Sequence, residues 1–170
     1  MFESGASYML TYVITSLFAF LGVYVGAILA FIAPDEVKPG MPYFRAFENT
    51  LLVFIGIVLL YAYGAQVWVL ILLGVVASIF LYFTKETTPI NHIAYFALGI
   101  AFFFATRTAD LFIAVSSMIF MYGLPLGSIY VARHIKKSRK TVLTDVLLNF
   151  GFFVIVALMT NLVALFVYNF

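Results

Sequence analysis

The sequence predicts an all-α, polytopic integral membrane protein, a bundle of six transmembrane helices arranged as three helical hairpins. Of its 170 residues, 65% are hydrophobic and 9% are charged, whereas a soluble domain carries about 25% charged residues. The mean hydropathy of +1.15 leaves too little polar surface to cover a water-facing globule. Six apolar runs and an uneven distribution of basic residues complete the argument, and residues 1–170 are interpreted as one transmembrane domain.

The six apolar runs define the predicted spans. A helix needs about 20 apolar residues to cross about 30 Å of hydrocarbon, and the spans are placed at 8–33, 50–64, 67–83, 92–106, 110–132 and 142–168. Pro34 and the polar residues 35–40 are predicted to form the first loop. Residues 50–83 would make a helix about 50 Å long, so we expect a tight turn at Gly64 and Gln66. Helices are favoured because backbone groups in lipid must be hydrogen-bonded within their own segment.

Lysine and arginine residues predict the orientation of the chain in the membrane. Loops one, three and five contain Lys38, Arg45, Lys85, Arg133, Lys136, Lys137, Arg139 and Lys140. The opposite side contains only Arg107. Because basic loops stay in the cytoplasm, both termini are predicted to lie outside, with loops one, three and five on the cytoplasmic side of the cell membrane.

Loop five is the strongest electrostatic feature of the sequence. A cluster of basic residues beside a span attracts anionic lipid headgroups, so membrane lipids are the predicted partners of Arg133, Lys136, Lys137, Arg139 and Lys140. The alternative is that the cluster only orients the chain. No metal or other cofactor is predicted, because the chain has no Cys and its two His residues lack the spacing of a metal site. A net charge of +2 gives no reason to predict nucleic-acid binding.

Small residues four positions apart predict close helix packing. Gly22 and Gly26 in the first span, and Gly74 and Ser78 in the third, would each form a flat strip that another helix backbone can approach. Such a strip serves packing within the chain or contact in a homo-oligomer.

The fifth span contains an unusual proline. Pro125 lies between two glycines and lacks an N–H, so the carbonyl of Met121 is expected to be freed and the helix to be broken. Freed carbonyls in broken helices coordinate ions and substrates in several transporters. The predicted pathway is lined by residues of spans five and six: Met121, Gly123, Pro125, Gly127, Ser128, Asp145, Asn149 and Asn161. The alternative is a kink that serves packing.

Three acids are predicted to lie in the first turn of a helix, where the helix dipole favours them: Glu48, Asp110 and Asp145. The alternative is that acids at the membrane edge bind cations or protons. Arg107 and Asp110 have the spacing of a local ion pair, and Arg45 and Glu48 repeat it. The two pairs would fit a 3+3 inverted repeat of the spans.

These features favour a small integral membrane transporter or channel of unknown substrate, with its pathway along spans five and six. A non-catalytic subunit or an assembly component of a larger membrane complex is the alternative, since it needs only packing surfaces. An intramembrane enzyme acting on lipid ranks third, because the sequence has no paired carboxylates, metal-binding spacing or nucleophile with a base.

Overall fold

The computed structural model of the protein describes residues 5–83, 88–134 and 137–168. Its helices are α1 (Gly5–Ile32), α2 (Pro34–Ala62), α3 (Val67–Phe83), α4 (Thr88–Phe104), α5 (Ala109–Arg133), α6 (Arg139–Phe150) and α7 (Phe152–Tyr168), with a 3₁₀ turn at Ala105–Arg107. Helices α1, α2, α5 and the α6–α7 pair are long and apolar enough to cross a membrane, and α3 and α4 are shorter apolar helices. The predicted all-α membrane bundle is therefore confirmed, and the chain is an integral membrane protein.

Helix α5 lies at the centre of the bundle. It packs along α1 on one side and along α2 on another, while α4 packs on α7. More than half of the residues of α5 are buried, whereas the other helices expose many large apolar side chains on the outer surface of the bundle. An inverted repeat would pair α1–α5 with α4–α2, yet α4 and α2 make little contact. The packing of the helices therefore does not follow the hypothetical repeat.

The contact between α1 and α5 is made by backbone atoms. A Cβ added to Gly22 or Gly26 would lie 2.0 Å from a carbonyl oxygen of α5, and one added to Gly127 would lie 2.0 Å from a carbonyl oxygen of α1. A Cβ on Gly123 would lie 2.6 Å from a backbone nitrogen of α1. We call these four residues the glycine seam. The strip of Gly22 and Gly26 thus packs within the chain, where no other copy of the chain can reach it.

The proline of α5 lies inside this packed region. The helix runs without interruption from Ala109 to Arg133, so the expected break at Pro125 is absent. Pro125 is buried, and the Ser128 hydroxyl lies 2.9 Å from the carbonyl oxygen of Gly26 and 3.0 Å from that of Leu124. Neighbouring helices and hydroxyl side chains commonly allow a membrane helix to continue through proline. Met121 is 43% exposed on the outer surface of α5.

The first connection is much shorter than predicted. Residues 34–40, expected to form a loop, are the first turns of α2, and Ala33 alone separates α2 from α1. The second helix therefore begins at Pro34, far before the predicted start at Thr50. Proline at the first helical position loses no hydrogen bond, and Asp35 and Glu36 interact favourably with the positive end of the helix dipole. The prediction of a loop was wrong because the polar residues that begin α2 have the same composition as a loop.

The turn between α2 and α3 is present as predicted. Helix α2 ends at Ala62, α3 begins at Val67, and Gly64 has φ +85°, a conformation that glycine adopts without strain. Helix α3 packs mainly on α2, where a Cβ on Gly74 would lie 3.1 Å from the Ile57 side chain. Ser78 is exposed, so the predicted strip of Gly74 and Ser78 is only partly used for packing.

The last span is formed by two consecutive helices, α6 and α7, which together make one apolar stretch long enough to cross a membrane. Helix α6 begins at Arg139, where the Ser138 hydroxyl accepts a hydrogen bond of 3.2 Å from the Thr141 amide. Gly151 lies between α6 and α7 in a helical conformation (φ −60°, ψ −20°), and its amide donates to the Leu147 carbonyl at 2.8 Å. The helical stretch thus begins at Arg139, three residues before the predicted span 142–168, and passes through Gly151 as one candidate span.

The alternation of helices brings the basic residues to one end of the bundle. Helices α1 and α5 finish there and α2 and α6 begin there, and the guanidinium of Arg139 lies 5.7 Å from the centre of the Phe31 ring. We call this the basic end; its described basic residues are Lys38, Arg45, Arg133, Lys137, Arg139 and Lys140. Lys85 and Lys136 lie outside the described residues. Arg107 lies at the opposite end, beside the end of α2.

The glycine seam predicts which small substitutions destabilise the bundle. Gly26→Ala and Gly127→Ala should each lower the free energy of unfolding by about 1 to 3 kcal/mol, because the new methyl group overlaps backbone atoms that have little freedom to move. Thermal unfolding of the purified protein in detergent measures this loss.

Gly56→Ala is the matched control, because a Cβ on Gly56 meets nothing within 4 Å. Its stability should equal or slightly exceed that of the wild type, since alanine favours a helix more than glycine does. Equal stability of all three variants would contradict backbone contact at the seam.

Candidate functional site

A glutamate is buried in the middle of the bundle. Glu48 is 5% exposed and lies midway between Pro34 and Ala62 on α2, about 21 Å from each helix end at 1.5 Å per residue. The prediction that Glu48 lies in a first helical turn is therefore wrong, because the helix starts fourteen residues earlier. Ionisable side chains within a membrane are rare and usually functional.

The partner of Glu48 comes from α5. The Glu48 carboxyl forms a side-chain hydrogen bond with the hydroxyl of Tyr122, which is 1% exposed. Arg133 of α5 and Arg45 of α2 attract the carboxyl electrostatically. Both arginines lie on the side of Glu48 that faces the basic end. The electrostatic environment of the carboxyl is thus positive on one side and apolar elsewhere.

A second buried tyrosine extends this site into α4. The ring of Tyr95 stacks on that of Tyr122, with centroids 6.0 Å apart and an interplanar angle of 26°. Phe150 and Phe153 pack on the ring of Tyr95, with centroid distances of 5.6 and 5.2 Å. Within the described part of the chain, the buried Tyr95 hydroxyl forms no hydrogen bond. A buried polar group without a partner is uncommon and calls for an explanation.

Glu48, Tyr122 and Tyr95 together form what we call the Glu48 cluster. They come from α2, α5 and α4, and lie at similar depth in the bundle. Glu48 was predicted as an acid of possible functional interest, whereas neither tyrosine was predicted as its neighbour. A signal for burial was present: Glu48, Leu51 and Ile55 are spaced by three and four residues, and all three are buried. That spacing places them on one face of a helix.

The predicted pathway residues of α6 and α7 lie apart from one another. Asp145 is not in the first turn of α6, as was predicted; its carboxylate accepts a hydrogen bond of 2.7 Å from the ammonium of Lys137. The amide of Asn149 donates to the Tyr130 hydroxyl at 3.0 Å, also near the basic end.

Asn161 lies toward the opposite end of the bundle. It is 2% exposed, and its carbonyl oxygen accepts a hydrogen bond of 3.4 Å from Tyr8 of α1. Its amide nitrogen lies 3.5 Å from the sulfur of Met9. Asp145 and Asn149 are therefore separated from Asn161 along the length of the bundle, and each of the three is bonded to a neighbouring side chain.

The basic residue at the opposite end joins two helical hairpins. Arg107 donates to the carbonyl oxygen of Ala62 and lies 4.8 Å from the centre of the Tyr63 ring. Arg107 and Asp110 are both described residues, and they do not form the predicted ion pair. The Arg107 guanidinium binds the carboxyl end of α2 instead. Asp110 does lie in the first turn of α5, as predicted.

The described residues offer few features that would hold a metal or a large ligand. Among them, no three His, Asp or Glu side chains come together as a metal site would require. A cavity of about 10 Å³, room for one water molecule, lies at the end opposite the basic end, lined by Tyr8, Thr11, Tyr12, Thr106, Thr108 and Phe112. The His92 side chain lies outside the described part, and His134 stacks on Tyr130 at 4.3 Å.

The pair of Lys137 and Asp145 predicts a pH dependence of stability. The hydrogen bond that Lys137 donates to Asp145 raises the pKa of Lys137 above its ordinary value of 10.5. A raised pKa means that the pair stabilises the fold below pH 10.5 and that this contribution is lost as the pH rises through the raised value. Lys137→Gln should therefore be slightly less stable than the wild type at neutral pH, with the difference disappearing in strong alkali.

Thermal unfolding across a pH series measures this difference, and Lys140→Gln in the same exposed segment is the control. Because the pair is partly exposed, the effect should be small. A difference that persists unchanged at the alkaline limit would exclude the ion pair as its cause.

No protein-family model, curated protein or solved structure matches the chain.

Proposed function

We propose that this protein is a small membrane transporter or channel, in which Glu48 binds the ion that is moved or that drives transport. The observation that carries the proposal is the burial of Glu48 in the middle of α2, hydrogen-bonded to Tyr122 of α5. A charged or ionisable group at this depth costs free energy, and the usual reason for retaining one is an ion or proton pathway.

The proposed pathway follows the interface of α2 and α5 rather than that of spans five and six. Arg45 and Arg133 lie between Glu48 and the basic end, and their charges reach the carboxyl. Gly123 and Gly127 serve the packing of α5 on α1, so they hold Tyr122 in position and do not line the path. Asp145 and Asn149 lie near the basic end, where they are placed to influence entry.

The proposed orientation has the basic end in the cytoplasm and both termini outside. Five of the six described basic residues of this end are exposed or lie on its outer turns. Basic residues near a span favour the cytoplasmic side, and they attract anionic headgroups at about 1 kcal/mol each. We propose these lipids as partners of Arg133, Lys137, Arg139 and Lys140.

A second candidate function is that of a non-catalytic subunit of a larger membrane complex. The observation that favours it is α3, which packs mainly on α2 and exposes apolar side chains in several directions. Trp68 is 80% exposed and Leu72 is 65% exposed. In a membrane either lipid or another membrane protein covers such a helix.

Ion flux across liposomes tests the transporter proposal. Purified protein in liposomes should carry a proton, Na⁺ or K⁺ flux under an imposed gradient, each followed with an ion-sensitive dye. Glu48→Gln keeps the shape of the side chain and removes its charge, so the flux should fall to the level of protein-free liposomes.

Glu36→Gln is the matched control, because Glu36 is an exposed acid on the same helix. It should retain the wild-type flux. If wild-type liposomes carry none of the three ions faster than protein-free liposomes, the transporter proposal fails and the subunit alternative gains support.

Cysteine labelling tests the orientation. The chain has no native cysteine, so Gln66→Cys at the α2–α3 turn and Ser138→Cys at the basic end each introduce one thiol. In intact cells a membrane-impermeant maleimide should label the first variant, and it should label the second only after permeabilisation. The reverse pattern would show that the basic end faces outward.

A further inference from the structure

We infer that the Glu48 cluster is a proton-binding site, and that its ligand is a proton rather than a metal cation. Its role in transport rests on the proposed function above. The binding itself does not, because protonation of the carboxyl is measurable without any ion flux.

The oxygen atoms around Glu48 are too few for a metal cation. Hard cations such as Mg²⁺ and Ca²⁺ take six to eight oxygen ligands. The cluster provides the two carboxyl oxygens and the hydroxyl of Tyr122, with the Tyr95 hydroxyl next to it. Arg45 and Arg133 place positive charge near the same carboxyl and repel a cation. Among the described groups that act on the Glu48 carboxyl there is no second acid.

A proton needs only one acceptor oxygen, and the cluster suits both states of the carboxyl. A tyrosine hydroxyl donates to an ionised carboxylate and accepts from a protonated one. Tyr122 therefore keeps its hydrogen bond to Glu48 whether the proton is bound or released. The protonated form is neutral, which the apolar surroundings of Leu51 and Ile55 tolerate at low cost.

Tyr95 gives the site a second hydroxyl. Its ring stacks on Tyr122, its hydroxyl interacts electrostatically with that of Tyr122, and it forms no hydrogen bond within the described residues. A hydroxyl that has a donor and two acceptor positions and uses none of them is available when the hydrogen bonds of its neighbour rearrange. The unpartnered group is thus explained by a site whose bonding changes with protonation.

Few charged or titratable groups lie near Glu48, so few of them affect its protonation. Helix α2 contributes Arg45, and α5 contributes Tyr122 and Arg133. Helix α4 contributes Tyr95 by way of Tyr122, and the His92 side chain of that helix lies outside the described part. Helices α1 and α3, over Gly5–Ile32 and Val67–Phe83, have no charged residue. Arginine does not deprotonate in proteins.

Infrared difference spectroscopy of the protein in zwitterionic liposomes tests the inference. Between acidic and alkaline buffer, the wild type should show the carbonyl stretch of a protonated carboxyl, displaced to lower frequency in heavy water. The chain has six other acids that absorb in the same spectral region, so Glu48→Gln should lose only the component of the band that belongs to Glu48, and Glu36→Gln should retain that component. Tyr122→Phe should keep a titrating band at higher frequency, because the protonated carboxyl loses its hydrogen bond to the Tyr122 hydroxyl. Added Na⁺ or Ca²⁺ should leave the wild-type band unchanged.

The outcomes separate this inference from the transport proposal. A band that is identical in the wild type and Glu48→Gln, or suppression of the Glu48 component by Na⁺ or Ca²⁺, would each overturn proton binding at Glu48. The frequency shift in Tyr122→Phe and the cation titration of the wild type remain decisive if Glu48→Gln does not fold. A titrating band without ion flux would overturn transport alone, and Glu48-dependent Na⁺ or K⁺ flux without the band would overturn proton binding alone.

Discussion

The close approach of α1 and α5 is the constraint on which the rest of the bundle depends. Four glycines bring the two backbones into direct contact, because the added Cβ at each would lie 2.0 to 2.6 Å from a main-chain atom. In lipid the hydrophobic effect contributes little to the association of helices, so close van der Waals packing has to supply the stabilisation. With α1 fixed on one side, α5 directs Tyr122 to the other side, toward α2 and α4.

Retaining Glu48 at this position costs stability. A buried ionised carboxylate is expensive unless it is paired and hydrogen-bonded, and a buried neutral acid still needs a partner for its polar atoms. Tyr122 supplies that partner, while Arg45 and Arg133 act only from a distance. A leucine at position 48 would continue the apolar face formed by Leu51 and Ile55, so packing alone gives no reason for the acid.

The sequence predicted the class of fold, the number of apolar helices and the turn at Gly64, because these depend on composition, length and one glycine. It failed where a signal has two physical meanings. Pro34, Asp35 and Glu36 begin a helix as well as a loop, and reading them as a loop moved Glu48 from mid-helix to a helix start. Gly123 and Pro125 resemble a broken helix, and their role in packing depends on α1, about a hundred residues away. Tyr95 and Tyr122 meet only through tertiary packing, which no local pattern contains.

The single-residue connection at Ala33 has a mechanical consequence. Helices α1 and α2 make little contact along their lengths, while α2 is held to α5 by side chains and to α3 by its own hairpin. The α1–α5 pair is too closely packed to slide, since any shift would drive main-chain atoms together. A displacement of α2 from α5 would therefore carry α3 with it and bend the chain at Ala33.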